Sequence, residues 1–312
     1  MKRLWQCLVL VASIAVSLSL TGCKSARASD GRPAVLHYAF SPNAEQLQSG
    51  NVRTEGLRNY LQKQLHMPVQ VVRVEGYAPT IEAMRADKVD IAGFGSLGYI
   101  IAAKNAGAEA LVSSGGADGK LGHYYSVIAV PKNSPIHSVD DLKANAKDLV
   151  FAFADPASTS GNLYPRVFLQ SLGIHPEKDF KRVVFANGHL ACVMAVKAGK
   201  VDAGAYQSTT SNRLITTGKM KADDVRVIWT SDGIPNGPTI AVRKALPEQL
   251  KREIQDAMTH ISTRDPALWA ELMKSVRSMS SGSNYIAVDD ASYDGLRQYA
   301  AQVKDFNFVE DK

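Results

Sequence analysis

The chain has 312 residues, 45% of them hydrophobic, and a formal net charge of +6. That length buries a large core without disulfide staples. The charge is too small and too evenly spread for nucleic acid, though it favours a small anion.

Lys2 and Arg3 open the chain, and Leu8–Leu20 is an almost unbroken apolar run. It falls short of the ~20 residues of a membrane span and suits the core of a secretory signal. Leu20-Thr21-Gly22-Cys23 resembles the bacterial lipobox, which predicts a signal over 1–22 and lipidation of Cys23. Ordinary cleavage near Ala28 is the alternative. Loss of Lys2 and Arg3 with the signal lowers the charge to +4. Residues 23–33 are small, polar and charged, as in a flexible tether. Of the three cysteines, Cys7 leaves with the signal, so Cys192 alone stays in the folded body and no intrachain disulfide is expected there.

From residue 34 the pattern is α/β. Strands are predicted at 34–38, 69–74, 89–94 and 125–130, with helices at about 55–65, 81–88 and 98–106 between them. The alternation resumes with strands at 149–153, 182–185, 201–206, 225–229 and 239–242, and helices at 163–172 and 191–198. Helices around 247–263, 266–279 and 293–303 close the chain. Such alternation predicts mostly parallel sheets covered on both faces.

The chain also repeats itself. Residues 83–94, AMRADKVDIAGF, match residues 195–206, AVKAGKVDAGAY, at five of twelve positions. At the same offset of 112, Gly76-Tyr77 falls opposite Gly188-His189. Two related lobes are expected, each with a glycine–aromatic pair before a helix and a small-residue strand end after it. Ligands bind at the carboxyl edge of such sheets. Two facing edges make a cleft, with Tyr77 and His189 on opposite sides and Phe94 and Tyr206 ending strands beneath.

Between a strand and a helix lies Asp155-Pro156-Ala157-Ser158-Thr159-Ser160-Gly161. Pro165 fits only a first helical turn, so the helix starts near 160–162, with unpaired amides at its positive end. Three hydroxyls, free amides and a glycine suit a tetrahedral oxyanion, whereas a simple cap needs one hydroxyl. A nucleophilic serine is disfavoured, because G-x-S-x-G is absent and no carboxylate is placed to orient His189. No Walker, Rossmann or metal-spacing motif occurs, and no cofactor is expected. The other histidines, His37, His66, His123, His137, His175 and His260, are scattered.

The run D-P-x-S-T-S-G, followed by Pro165, Asp179-Phe180-Lys181-Arg182, Gly188-His189 and K-V-D, resembles the phosphonate-binding (PhnD-type) substrate-binding proteins of ABC transporters. The similarity extends over most of the chain from residue 35. It implies a type II, two-lobed periplasmic-binding-protein fold with two hinge strands and the ligand in the interlobe cleft. Lobe 1 would be 34–129 plus 241–312, and lobe 2 would be 130–240. By position, Ser158, Thr159, Ser160 and His189 would hold the anion's oxygens, His189 carrying a proton, and Tyr77 would add a hydroxyl from the other lobe. Members that take aminoalkylphosphonates hold the amino group with acidic residues, and the matching positions here are Thr209 and Gly237. Phe94 stands where the family has a second tyrosine.

A smaller or purely anionic ligand is therefore expected: phosphite, methylphosphonate or phosphate. The implied partners are an ABC permease with its ATPase, served by a lipid-anchored, periplasmic, monomeric and non-catalytic receptor. The alternative is a receptor docking on a sensor histidine kinase. Some relatives sense arsenite, and Cys192, one helical turn beyond His189, either reaches the cleft as a thiol or packs on the lobe.

Overall fold

The computed structural model describes residues 30–39, 51–74, 76–115, 118–235, 237, 239–274 and 284–302. The signal, Cys23 and most of the tether lie outside them. Strands β1 (Leu36–Ala39), β2 (Val69–Val72) and β3 (Ile91–Phe94) alternate with helices α1 (Asn51–Leu65) and α2 (Tyr77–Arg85), followed by α3 (Ser96–Ala106) and β4 (Ala108–Gly115). Beyond the short β5 (His123–Tyr124) come β6 (Ser126–Pro131), α4 (Val139–Asn145) and β7 (Val150–Phe153). A π-helical turn (Thr159–Leu163) then runs into α5 (Tyr164–Ser171), followed by α6 (Pro176–Asp179) and β8 (Arg182–Phe185). Next are α7 (His189–Lys197), β9 (Ala203–Gln207), α8 (Ser208–Thr216) and β10 (Val225–Thr230). After β11 (Ile234–Pro235) the chain returns through β12 (Thr239–Arg243), α9 (Glu248–Thr259), α10 (Ile261–Arg264), α11 (Pro266–Lys274), β13 (Asn284–Ala287) and α12 (Asp294–Ala300).

These strands build two sheets on one plan: β2-β1-β3-β12-β4-β13 and β8-β7-β9-β6-β10. In each, three parallel strands come first, and the fourth, β12 or β6, is antiparallel to its neighbours. The sheets are thus mixed rather than mostly parallel. The fourth strand of each sheet is the one that adjoins a crossing between lobes, and it enters in the opposite sense. The boundaries expected at 129/130 and 240/241 fall inside β6 and β12, each of which keeps to a single sheet. Apolarity marks a strand without saying which sheet receives it. The crossing segments are β5 and β11, which pair antiparallel with Tyr124 opposite Ile234.

The internal repeat has a mechanical basis. Helices α2 and α7 both start after a glycine at positive φ, Gly76 at 90° and Gly188 at 130°, and end on Ala86 and Ala198. The repeated K-V-D places Asp90 and Asp202 alike. The Asp90 carboxylate accepts the His37 amide at 2.8 Å, and Asp202 accepts that of Val150 at 2.7 Å. Each aspartate thereby ties its strand to the start of the neighbouring parallel strand, which sets the register of the cleft edge.

Two apolar clusters fill each lobe, and one of them crosses between lobes. Ala157 and Leu163 of the second pack with Tyr77, Leu97 and Tyr99 of the first. The described lobes are therefore in contact across the cleft.

Candidate functional site

The turn after β7 caps its own helix start and gathers three buried hydroxyls. Ser158 precedes the π-turn in extended conformation, and its Oγ accepts the Gly161 amide at 2.9 Å. The Leu163 amide reaches the Ser158 carbonyl at 3.0 Å, the wide spacing that makes the turn π rather than α. Ser158, Thr159 and Ser160 are all at most 2% exposed. Gly161 is required for space: a β-carbon there would lie 2.4 Å from Ala154 Cβ, 2.9 Å from Ser158 Oγ and 3.1 Å from His189 Cε1. An alanine would thus push the turn off both β7 and the histidine.

The opposite lobe meets this turn directly. At the start of α3 the Leu97 amide donates to Thr159 Oγ1 at 2.8 Å. The Asp155 carboxylate accepts Ala157 N–H at 2.8 Å and, across the cleft, Tyr77 N–H at 3.5 Å. Gly76 has no side chain to cap α2, so Asp155 supplies an acceptor at that positive helix end from the other lobe. The Tyr77 hydroxyl takes the Gly95 amide, and burial lifts its pKa well above the usual phenol value. Tyr124, in the crossing ribbon, directs its hydroxyl among Thr159, Ser160 and Ser96. Ser126 Oγ donates to the Ser160 carbonyl at 2.6 Å and fixes the far side of the turn.

His189 heads α7 and is buried. Its Nε2 lies 3.5 Å from Ser158 Oγ, and its Nδ1 accepts the Gln207 amide at 3.1 Å. An Nδ1 that accepts from a backbone N–H has no hydrogen, so the ring is neutral with its hydrogen on Nε2. Burial, then the charge of Arg213, lower its pKa to about 4. The protonated imidazole expected from the sequence is thereby corrected: desolvation and a nearby cation both oppose it. The same tautomer decides against a Ser158–His189 nucleophile, because Nε2 already carries hydrogen and cannot accept another from the serine.

The remaining expected residues divide. Thr209 is buried in the first turn of α8, two residues past Gln207. Phe94 lies in the lobe 1 core beneath Tyr77, ring centroids 6.4 Å apart, and offers no polar group. Tyr206 packs with Val193 and Val196 in the lobe 2 core. Cys192 faces the sheet, its Sγ 3.4 Å from the Ala205 carbonyl and 3.6 Å from that of Ala152, with burial pushing its pKa up to about 12. It belongs to lobe packing and is not a reactive thiol.

Sequence reasoning missed Tyr124 and Asp155. Tyr124 has Tyr125 beside it, and nothing local tells which ring faces the turn. Asp155 was legible within the D-P-x-S-T-S-G run, but its acceptor role depends on the other lobe.

Ser158, Thr159, Ser160, Tyr124 and His189 Nε2–H form a compact set of neutral donors. A hydroxyl that accepts an amide, as Ser158 and Thr159 do, keeps its own hydrogen for another acceptor. Donors of this kind at a helix start hold an oxyanion without a matching full charge.

The family model for ABC transporter, phosphonate, periplasmic substrate-binding proteins matches residues 39–293. The phosphonates-binding periplasmic protein of Escherichia coli is 38% identical over 196 residues, which are 63% of this chain and 57% of that protein's length. The phosphate-import protein PhnD of Mycolicibacterium smegmatis is 28% identical, with 93% of this chain and 94% of that protein covered. Among solved structures, the binding component of an ABC phosphonate transporter from Pseudomonas aeruginosa has a TM-score of 0.76 at 29% identity, covering 85% of each chain. A Prochlorococcus marinus protein in complex with methylphosphonate shares the fold, with a TM-score of 0.73 at 20% identity over 86% of this chain and 98% of that one. The chain therefore belongs to the phosphonate family of periplasmic substrate-binding proteins of ABC transporters.

Proposed function

We propose that this chain is a receptor for a phosphorus oxyanion with a small substituent or none, such as methylphosphonate, phosphite or phosphate, delivered to an ABC importer. The observation that carries this reading is the neutral donor set from the π-turn, Tyr124 and His189, joined across the cleft by the Leu97–Thr159 bond. Tyr77, Ser158, Thr159, Ser160, His189 and Thr209 line the ligand, with Phe94 and Tyr206 as the packing beneath.

The substituent side supports a small ligand. At Gly237 a β-carbon would lie 2.8 Å from Ser114 Cβ, so no carboxylate-bearing side chain fits there without displacing β4. Thr209 supplies no charge either. A ligand ammonium would find no acidic partner at either of these two positions, and an unpaired buried charge costs several kcal/mol. Relatives described as phosphate-import and phosphite-binding proteins, and a neighbour solved with methylphosphonate, fall in the same range of ligands.

A signal over 1–22 with lipidation at Cys23 would tether the receptor to the envelope. The buried Cys192 thiol gives the arsenite-sensing alternative no support. A thermal-shift and calorimetry panel of methylphosphonate, phosphite, phosphate, 2-aminoethylphosphonate, sulfate and arsenite tests the reading. Binding raises the melting temperature by mass action. The expected result is a response to small phosphorus oxyanions and none to 2-aminoethylphosphonate. Micromolar 2-aminoethylphosphonate binding would overturn the substituent argument, and no phosphorus response would overturn the receptor.

A further inference from the structure

The lobes touch at a second place, on a residue of the C-terminal helix. Tyr299 of α12 stacks on Tyr164 of α5, ring centroids 4.4 Å apart and planes inclined by 22°. The two belong to different lobes. Tyr164 is the first residue after the π-turn, and its amide donates to the Thr159 carbonyl. The ring that Tyr299 covers is thus one hydrogen bond from the anion cradle.

Helix α12 is well anchored on lobe 1. Tyr293, just before it, lies against Tyr99 with centroids 4.4 Å apart and shares a 2.7 Å hydrogen bond with Thr239. Tyr99 donates to Asp290 at 2.8 Å, and Arg297 bridges Asp290 and Asp294. Tyr299 is therefore a ring on a braced arm. Leu163 and Ala157 of lobe 2 continue the seam against Leu97 and Tyr99. Closure has an apolar component that lies outside the donor set.

We propose that Tyr299 is an affinity-determining positioning residue: by stacking on Tyr164 it favours the closed state and seats the π-turn against lobe 1. A contact present only when the lobes meet raises affinity by stabilising the closed state around the bound ligand, without touching the ligand. The magnitude follows from aromatic pairing, and loss of the stack should weaken binding about three- to ten-fold. Since association does not require the stack, the loss falls mainly on dissociation.

This rests on the receptor reading only for its binding arm. In that arm, methylphosphonate affinity and dissociation rate are measured for the wild type, Tyr299→Ala, Tyr299→Phe, Tyr164→Ala and the double alanine variant. Tyr299→Phe should bind as the wild type does. Each alanine variant should dissociate faster, and the double variant should be no weaker than the worse single, because one contact is lost in all three. In the second arm, small-angle scattering without ligand should show Tyr299→Ala more expanded than the wild type. That arm stays informative if the wild type binds no phosphorus oxyanion, which would overturn the receptor reading alone. If either alanine variant fails to fold, Tyr299→Leu and Tyr164→Leu retain apolar mass and take its place. Wild-type affinity in Tyr299→Ala or Tyr164→Ala, fully additive losses, or unchanged scattering would each overturn the clasp.

Discussion

The backbone N–H of Gln207 donates to Nδ1 of His189 at 3.1 Å, which leaves the ring's one hydrogen on Nε2, facing Ser158. The histidine is thus a fixed neutral donor and does not switch with physiological pH. Its pKa, about 4, lies below the unfolded value. The unfolded chain therefore binds the extra proton between about pH 6.5 and 4, so stability is full above that window and is lost as pH falls through it. Imidazole nitrogen shifts should report the Nε2–H tautomer with no titration of this ring between about pH 5 and 8. In His189→Gln the loss of thermal stability below pH 6.5 should be shallower, and anion affinity should drop roughly ten- to hundred-fold.

Thr159 links the lobes by accepting the Leu97 amide at 2.8 Å, and on the proposed function its own hydrogen would serve the anion. Replacement by valine conserves shape and removes both bonds. Calorimetry of Thr159→Val should show affinity lowered roughly ten- to thirty-fold, at about 1 kcal/mol for each bond. Thr159→Ser keeps the oxygen and should stay close to the wild type. Wild-type affinity in Thr159→Val together with a loss in Thr159→Ser would mean that the methyl group matters and the hydroxyl does not.

Tyr124 provides a sharper separation of binding from folding. Its ring lies in the crossing ribbon and its hydroxyl among Thr159, Ser160 and Ser96. Tyr124→Phe leaves the packing intact and deletes one donor near the anion. A bond to a charged acceptor contributes about 1.5–3 kcal/mol, so affinity should fall about ten-fold or more. The melting temperature of the ligand-free protein should move by no more than about 4 °C. A wild-type dissociation constant for this variant would remove Tyr124 from the donor set.

Tyr124 also shows where the sequence stopped being informative. The turn and its hydroxyls were readable because their signals are local: a strand end, three hydroxyls, a glycine and Pro165 in eleven consecutive residues. The repeat at offset 112 was readable because its two copies are each a local run, although the bond each aspartate makes, to the amide of His37 or Val150 near the start of a neighbouring strand, lies more than fifty residues away. By contrast, β4 was missed because Ala108-Glu109-Ala110-Leu111 favours helix, and only pairing with β12 and β13 on both sides makes it a strand. The His189 tautomer depends on Gln207, eighteen residues away, and the seam on α12 joins residues 135 positions apart. Such relationships arise from the meeting of lobes, and no window along the chain contains them.

Asp155 is a carboxylate that accepts hydrogen bonds at this turn, and its charge would work against an anion held there. It is 8% exposed and accepts the amides of Ala157 and Tyr77, yet burial holds its pKa above the usual carboxylate value. A raised folded pKa means that the folded chain takes up the extra proton in the window between the unfolded carboxylate value and the raised one. The charged form therefore costs stability above that window, and the cost is relieved as pH falls into it. Protonation also removes a negative charge beside the incoming anion. Affinity in the wild type should then rise, relative to Asp155→Asn, as pH is lowered from neutrality. Taking the ratio of the two proteins at each pH cancels the ligand's own ionisation. At neutral pH Asp155→Asn, which keeps an oxygen for the Ala157 amide, should bind more tightly than the wild type. Asp155→Ala, which leaves that amide and the start of α2 without the acceptor, should bind more weakly. If the asparagine and alanine variants weaken binding alike, the carboxylate is acting as an attractive charge and this electrostatic account of the cleft fails.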